Sequence, residues 1–115
     1  MGDVDLDPVV TNADHYRVVL ENARVRVLAY DDLPGDRTTP HVHPDSVLIT
    51  RSAFSRRLTG SQGDRDVVLP EGAVVWLPAQ EHAGENTGTT PTHVLLVELK
   101  GDPAAPSSGT ALGPE

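Results

Sequence analysis

The segment Gly35-Asp36-Arg37-Thr38-Thr39-Pro40-His41-Val42-His43-Pro44 decides the fold. Its two histidines stand two residues apart between two prolines. Side chains alternate across extended backbone, so His41 and His43 point to the same face if the segment is extended. Two imidazoles placed this way can share one metal ion. Pro40 and Pro44 fix φ on either side and stiffen the segment. Far downstream, His82 lies in Trp76-Leu77-Pro78-Ala79-Gln80-Glu81-His82-Ala83-Gly84-Glu85-Asn86, after a strand that ends at Pro78. A third ligand brought from that distance would close a site. Taken alone, an H-x-H pair is weak evidence, and a lone histidine is more often a surface or hydrogen-bonded residue. The surrounding pattern has to decide.

On the N-terminal side, Tyr16–Leu20 reads as a strand, Glu21-Asn22-Ala23 as a tight turn and Arg24–Tyr30 as a second strand. In the second run Val25, Val27 and Ala29 fall on one face. Arg24, Arg26, Leu28 and Tyr30 fall on the other, the two-residue period of a strand. Asp31–Pro40 is a loop punctuated by Pro34-Gly35. Downstream, short extended runs are predicted at Ser46–Arg51, Phe54–Thr59, Asp66–Leu69, Ala73–Leu77 and His93–Lys100. Turn residues separate them, and no sustained helical period occurs between Tyr16 and Lys100. Many short strands with regular turn signals predict an all-β sandwich or barrel.

The ends differ from this middle. Residues 1–14 are acidic and turn-prone, and they read as a loose arm or an added edge strand. Residues 15–100 form the one domain that 115 residues accommodate. From Gly101 the chain is rich in Pro, Ser, Gly and Ala without pattern, which predicts a disordered tail. With one Phe, one Trp and two Tyr, the core is expected to be mainly Val and Leu.

The formal net charge is −8. Phosphate backbones and anionic lipid repel such a chain, so nucleic acid and membrane surfaces are excluded as expected partners. There is no cysteine, which removes disulfides and thiolate metal sites. The N-terminus lacks the basic and apolar regions of a signal peptide, and no apolar run approaches transmembrane length. A soluble cytoplasmic protein is the expectation.

The chain resembles the cupin superfamily. The first motif of that family is G-x5-H-x-H-x3,4-E-x6-G, and Gly35 to His43 matches its first half at the family's spacing. The second is G-x5-P-x-G-x2-H-x3-N. Gly72 to Pro78 matches its opening and His82 to Asn86 its close, with one residue fewer between them and Gln80 where the glycine stands. The motifs span Gly35 to Asn86, close to half the chain. The motif glutamate would fall at position 47 or 48, which here hold Val47 and Leu48, and the closing glycine is absent.

The resemblance implies a double-stranded β-helix, a jelly-roll barrel with a cavity at one mouth. It implies a three-histidine metal site of His41, His43 and His82, as in some members that lack the glutamate. Gln80, Glu81 and Asp45 are further candidates for a fourth ligand. Three neutral imidazoles suit one divalent transition metal, Fe, Zn, Ni, Mn, Co or Cu, and leave a position open for water or substrate. The expected function is a mononuclear metal-dependent enzyme, dioxygenase-, lyase- or isomerase-like, acting on a small polar molecule. Arg51, Gln80, Glu81 and Asn86 are the candidate substrate-side groups. The alternative is a non-catalytic cupin that binds a sugar or an acid, and a third reading makes the metal a structural staple in a barrel without a cavity. His15 and His93 are read as peripheral. A homodimer is expected, because strand edges need cover.

Overall fold

The computed structural model describes residues 5–101. Residues 1–4, and the predicted tail beyond Gly101, lie outside them. Among the described residues, nine strands follow one helical turn, α1 (Pro8–Thr11). They are β1 (Tyr16–Glu21), β2 (Val25–Asp32), β3 (His41–His43), β4 (Ser46–Thr50), β5 (Phe54–Gly60), β6 (Gly63–Leu69), β7 (Val74–Leu77), β8 (Gln80–Asn86) and β9 (Thr92–Leu99). All ladders are antiparallel, in a five-stranded sheet of order β1-β2-β9-β4-β7 and a four-stranded sheet of order β3-β8-β5-β6. The predicted all-β barrel is the observed fold, a double-stranded β-helix.

Turn chemistry places the breaks. Gly60 pairs with Gly63 across the β5–β6 hairpin, and Gly63 takes φ +104°, a backbone that side chains resist. Gly72 (φ +81°) turns the chain into β7 and donates its N–H to the Thr50 carbonyl.

The two faces of β2 settle differently from their composition. The face bearing Leu28, Tyr30 and Asp32 is buried inside, in register with Leu96, Val94 and Thr92 of β9. The valines point out. The expected Val- and Leu-based core holds in part: Leu28, Val94 and Leu96 are buried, but Tyr30 and Phe54 join Val94 at its centre, with Tyr16, Leu48 and Leu69 packed against them. Many inward positions are polar, including His41, His43, Arg56, His82, Asn86 and Glu98. Such groups are tolerated inside because they bond one another.

Two elements escaped the sequence reading. β8 holds no β-branched or aromatic residue, yet it is a strand because β3 and β5 pair with it on both sides. The N-terminal arm is neither loose nor a strand over residues 7–12. Asp7 caps α1, its carboxylate accepting from the Val9 N–H, with Pro8 opening the helix. The same carboxylate takes both terminal nitrogens of Arg26, at 2.8 and 3.0 Å.

Candidate metal centre

β3 is an edge of its sheet, and the arm closes it. The Val42 N–H donates to the Leu6 carbonyl at 2.9 Å. The Thr39 N–H donates to the Asn12 side-chain oxygen at 2.8 Å, and the Asn12 amide donates back to the Thr39 carbonyl at 3.2 Å. This brace holds β3 extended, so His41 and His43 share the inner face, each 1% exposed, and Val42 faces out. β8 brings the third ring. His82 pairs directly with His41 across the ladder, and Gln80 with His43.

The three rings meet edge to face, with centroids 4.8–5.0 Å apart. One nitrogen from each lies within 4.8 Å of the other two. The Nδ1 atoms point away from this centre, each onto an acceptor. His41 Nδ1 donates to the Thr39 carbonyl at 2.7 Å, His43 Nδ1 to Glu98 at 3.2 Å and His82 Nδ1 to the Gln80 oxygen at 2.7 Å. Gln80 is itself oriented by donating to the Pro78 carbonyl. Holding Nδ1 as a donor fixes the tautomer and leaves Nε2 as the lone-pair atom, the arrangement metal-binding histidines adopt.

Electrostatics agree with that assignment. Burial, reinforced by the His43 ring and Arg56, lowers His41 to about 4 against the hydrogen bond to Thr39. Burial and the two neighbouring rings lower His82 to about 3. Both are neutral at pH 7, the form that ligates. Three buried, pre-oriented imidazoles are a donor set that fits one divalent transition ion.

Two residues absent from the expected site belong to it. Glu98 is buried (3% exposed) and bridges His43 to Arg26, whose Nε lies 2.8 Å from its other oxygen. The two-residue period of β9, inward at Val94 and Leu96, points to position 98. Tyr16 places its hydroxyl 3.3 Å from His41 Nε2 and 3.4 Å from His43 Nε2. Nothing local to Tyr16 in sequence signals this.

A cavity of about 80 Å³ adjoins the rings, lined by Tyr16, Leu48, Phe54, Leu58, Leu77 and Val94 among others. Each enclosed water needs about 10–15 Å³ of such space, so there is room for a small ligand. Arg56 lies in its wall. Its guanidinium bonds Asp32, Thr92 and the Tyr30 oxygen, and Tyr30 and Asn86 also donate to Asp32. Burial pushes the Asp32 carboxyl up, but donation from Tyr30 and Arg56 outweighs it and holds Asp32 below the usual carboxylate range. Gly84 makes space for the guanidinium, since a Cβ there would sit 2.9 Å from Arg56 Nη2.

The other candidates fall elsewhere. Leu48 faces the cavity, while Val47 is on the outer face. Asp45 is exposed and accepts from the Ala79 N–H. Glu81 and Arg51 are exposed and do not line the cavity, because Glu81 alternates with His82 and Arg51 follows β4 into a turn. Gln80 reaches the site only through His82, and Asn86 is a buried member of the Asp32 network. His93 faces outward onto Asp31, and His15 bonds the Asp31 carbonyl.

Fold and site together define the class: this chain has the double-stranded β-helix fold of cupins and, among the described residues, a three-histidine cluster. Among solved structures it is similar to a cupin domain from Bordetella pertussis, with 26% identity and a TM-score of 0.70 over 75% of this chain and 92% of that one. It is also similar to an uncharacterised double-stranded β-helix protein from Klebsiella pneumoniae, at 26% identity and TM-score 0.61 over 76% of each chain. The polyketide cyclase RemF from Streptomyces resistomycificus shares the fold at 19% identity and TM-score 0.57, over 76% of this chain and 66% of its own. No protein-family model and no curated protein matches the chain.

Proposed function

We propose that this cupin is a mononuclear metal-dependent enzyme acting on a small polar molecule, with one divalent transition ion on His41, His43 and His82. The observation that carries this is the convergence of three tautomer-fixed Nε2 atoms on the edge of a cavity. When bound, such an ion supplies Lewis acidity and an anchor for a chelating substrate. The chain supplies the rest. Leu48, Phe54, Leu58 and Val94 exclude water from the substrate space. Arg56, its charge balanced by Asp32, and Thr92 and Thr38 give the otherwise apolar wall polar groups that suit a small polar substrate. The fold hosts more than one reaction class, RemF being a cyclase, and dioxygenase-, lyase- and isomerase-type chemistry all remain within this proposal. We place the protein in the cytoplasm; among the described residues no helix is long and apolar enough to cross a membrane.

A second reading, a non-catalytic cupin that binds a small acid or sugar, draws on Leu48, an apolar residue at a motif position for the metal-binding carboxylate. The staple reading is disfavoured by the cavity beside the rings. Elemental analysis of purified protein, with a screen of small carboxylates and sugars, separates the two. The enzyme reading expects about one transition metal per chain, lost in His41→Ala and His82→Ala together with turnover. Metal-free protein whose His41→Ala variant still binds the ligand sinks it.

A further inference from the structure

Tyr16 is aimed into the histidine cluster by two independent holds. Its backbone N–H donates to the Asn12 carbonyl at 3.0 Å, and the Asn12 side chain bonds both the N–H and the carbonyl of Thr39, two residues before His41. One residue thus sets the distance between Tyr16 and β3. The ring itself packs on Tyr30, its register partner, at 4.7 Å between centroids. The hydroxyl ends 3.3 Å from His41 Nε2 and 3.4 Å from His43 Nε2. Two ligand atoms on one tetrahedral ion, with bonds of about 2.0–2.1 Å, stand about 3.3–3.4 Å apart. The oxygen thus stands at the separation expected between neighbouring ligands from two of the three nitrogens.

We propose that the Tyr16 phenolic oxygen is a fourth protein ligand of the ion held by His41, His43 and His82. The inference rests on the metal reading of that cluster. Charge supports it. Three neutral imidazoles leave a divalent ion uncompensated in a buried site, which is costly. The nearby Glu98 carboxylate is already paired with Arg26, and Leu48 offers no oxygen. Coordination breaks the phenolic O–H bond heterolytically, the proton leaves to solvent, the oxygen–metal bond forms, and no electron is transferred. An ion that expands beyond four ligands still takes a substrate from the cavity side.

The test uses the full chain loaded with Cu(II) and, separately, with Fe(III). Both ions give a visible charge-transfer band when a phenolate binds them, and resonance Raman excitation into that band enhances tyrosine ring vibrations. The chain has two tyrosines. The Tyr30 oxygen is committed to Asp32 and Arg56. The expected result is a phenolate band with tyrosine vibrations in the unsubstituted protein, retained in Tyr30→Phe and lost in Tyr16→Phe. Metal affinity in Tyr16→Phe should fall by at least the roughly 10–100-fold that follows loss of a group merely orienting a ligand. Unchanged melting of metal-free Tyr16→Phe shows that its fold is intact, and the Raman result needs no variant. Metal binding by the unsubstituted chain without a phenolate band overturns the Tyr16 assignment and leaves the three-histidine site standing. Failure to bind any metal overturns both.

Discussion

Glu98 and Gly84 show how single residues shape the site from beyond the ligands. The Glu98 carboxylate joins Arg26 to His43 in a buried chain that starts at Asp7. Glu98→Gln keeps the shape and removes the charge, leaving Arg26 to Asp7 alone and His43 with a weaker acceptor. Metal affinity is expected to fall about 10–100-fold, read by competitive metal titration; unchanged affinity would show that His43 needs no such support. At Gly84 the constraint is space. Arg56 is pinned by Asp32, Thr92 and Tyr30 and cannot swing away cheaply. Gly84→Ala is expected to cost about 1–3 kcal/mol, seen as a lower melting temperature of metal-free protein.

At the scale of elements, the arm and β8 carry the site. Asp7 does two jobs, capping α1 and pairing Arg26. Asp7→Ala removes both, and loss of the cap alone is worth about 0.5–2 kcal/mol. Because α1 leads into Asn12, and Asn12 holds Thr39, the loss should propagate to β3. Faster amide hydrogen exchange at Thr39 and Val42 in Asp7→Ala is the expected signature. Exchange as slow as in the parent would show that β8 alone holds β3. The Asp7-Pro8 pair was a legible helix start, a capping residue followed by proline, but four residues are too few for a periodicity to appear. β8 was illegible for a different reason. Gln80-Glu81-His82-Ala83-Gly84-Glu85-Asn86 carries no apolar alternation, since its inward positions serve His82, the Gly84 gap and Asn86. Partners, and no propensity of its own, make it a strand.

For the whole molecule, two features lead to measurable behaviour. The first is acid sensitivity. His41 and His82 are held neutral in the fold, to about 4 and about 3, but titrate near 6.5 in the unfolded chain. Below pH 6.5 the unfolded state binds more protons than the folded one, so stability falls with pH between about 6.5 and 4. It should be flat with respect to these groups above pH 7. Melting of metal-free protein across that range checks the sign, and His82→Gln should flatten the slope. The second feature is the outer face of the five-stranded sheet. Val27, Val47, Ile49, Leu95 and Val97 run in register across it to Trp76, which is 56% exposed. Patches of this kind mark interaction sites. We propose that a second copy covers it, since the strip from Val27 to Trp76 carries no charged residue and lets two chains of net charge −8 meet there without opposing like charges. Light scattering should give a dimer, and Trp76→Glu a monomer; a monomeric parent chain refutes the pairing.

The sequence by itself determined the strand-rich architecture, the turns and the pairing of His41 with His43. Those depend on local backbone limits and a two-residue period, which neighbouring residues carry. It also named His82, through motif spacing. Only the tertiary structure decided which face of β2 is inside, that Leu48 and not Val47 meets the cavity, and that Glu98 and Tyr16 stand at the histidines. Burial and hydrogen bonding depend on what lies opposite in space, and the partners here stand up to 72 residues apart in the chain. An alternating strand says that it has two faces; which one turns inward is set by the strands it meets.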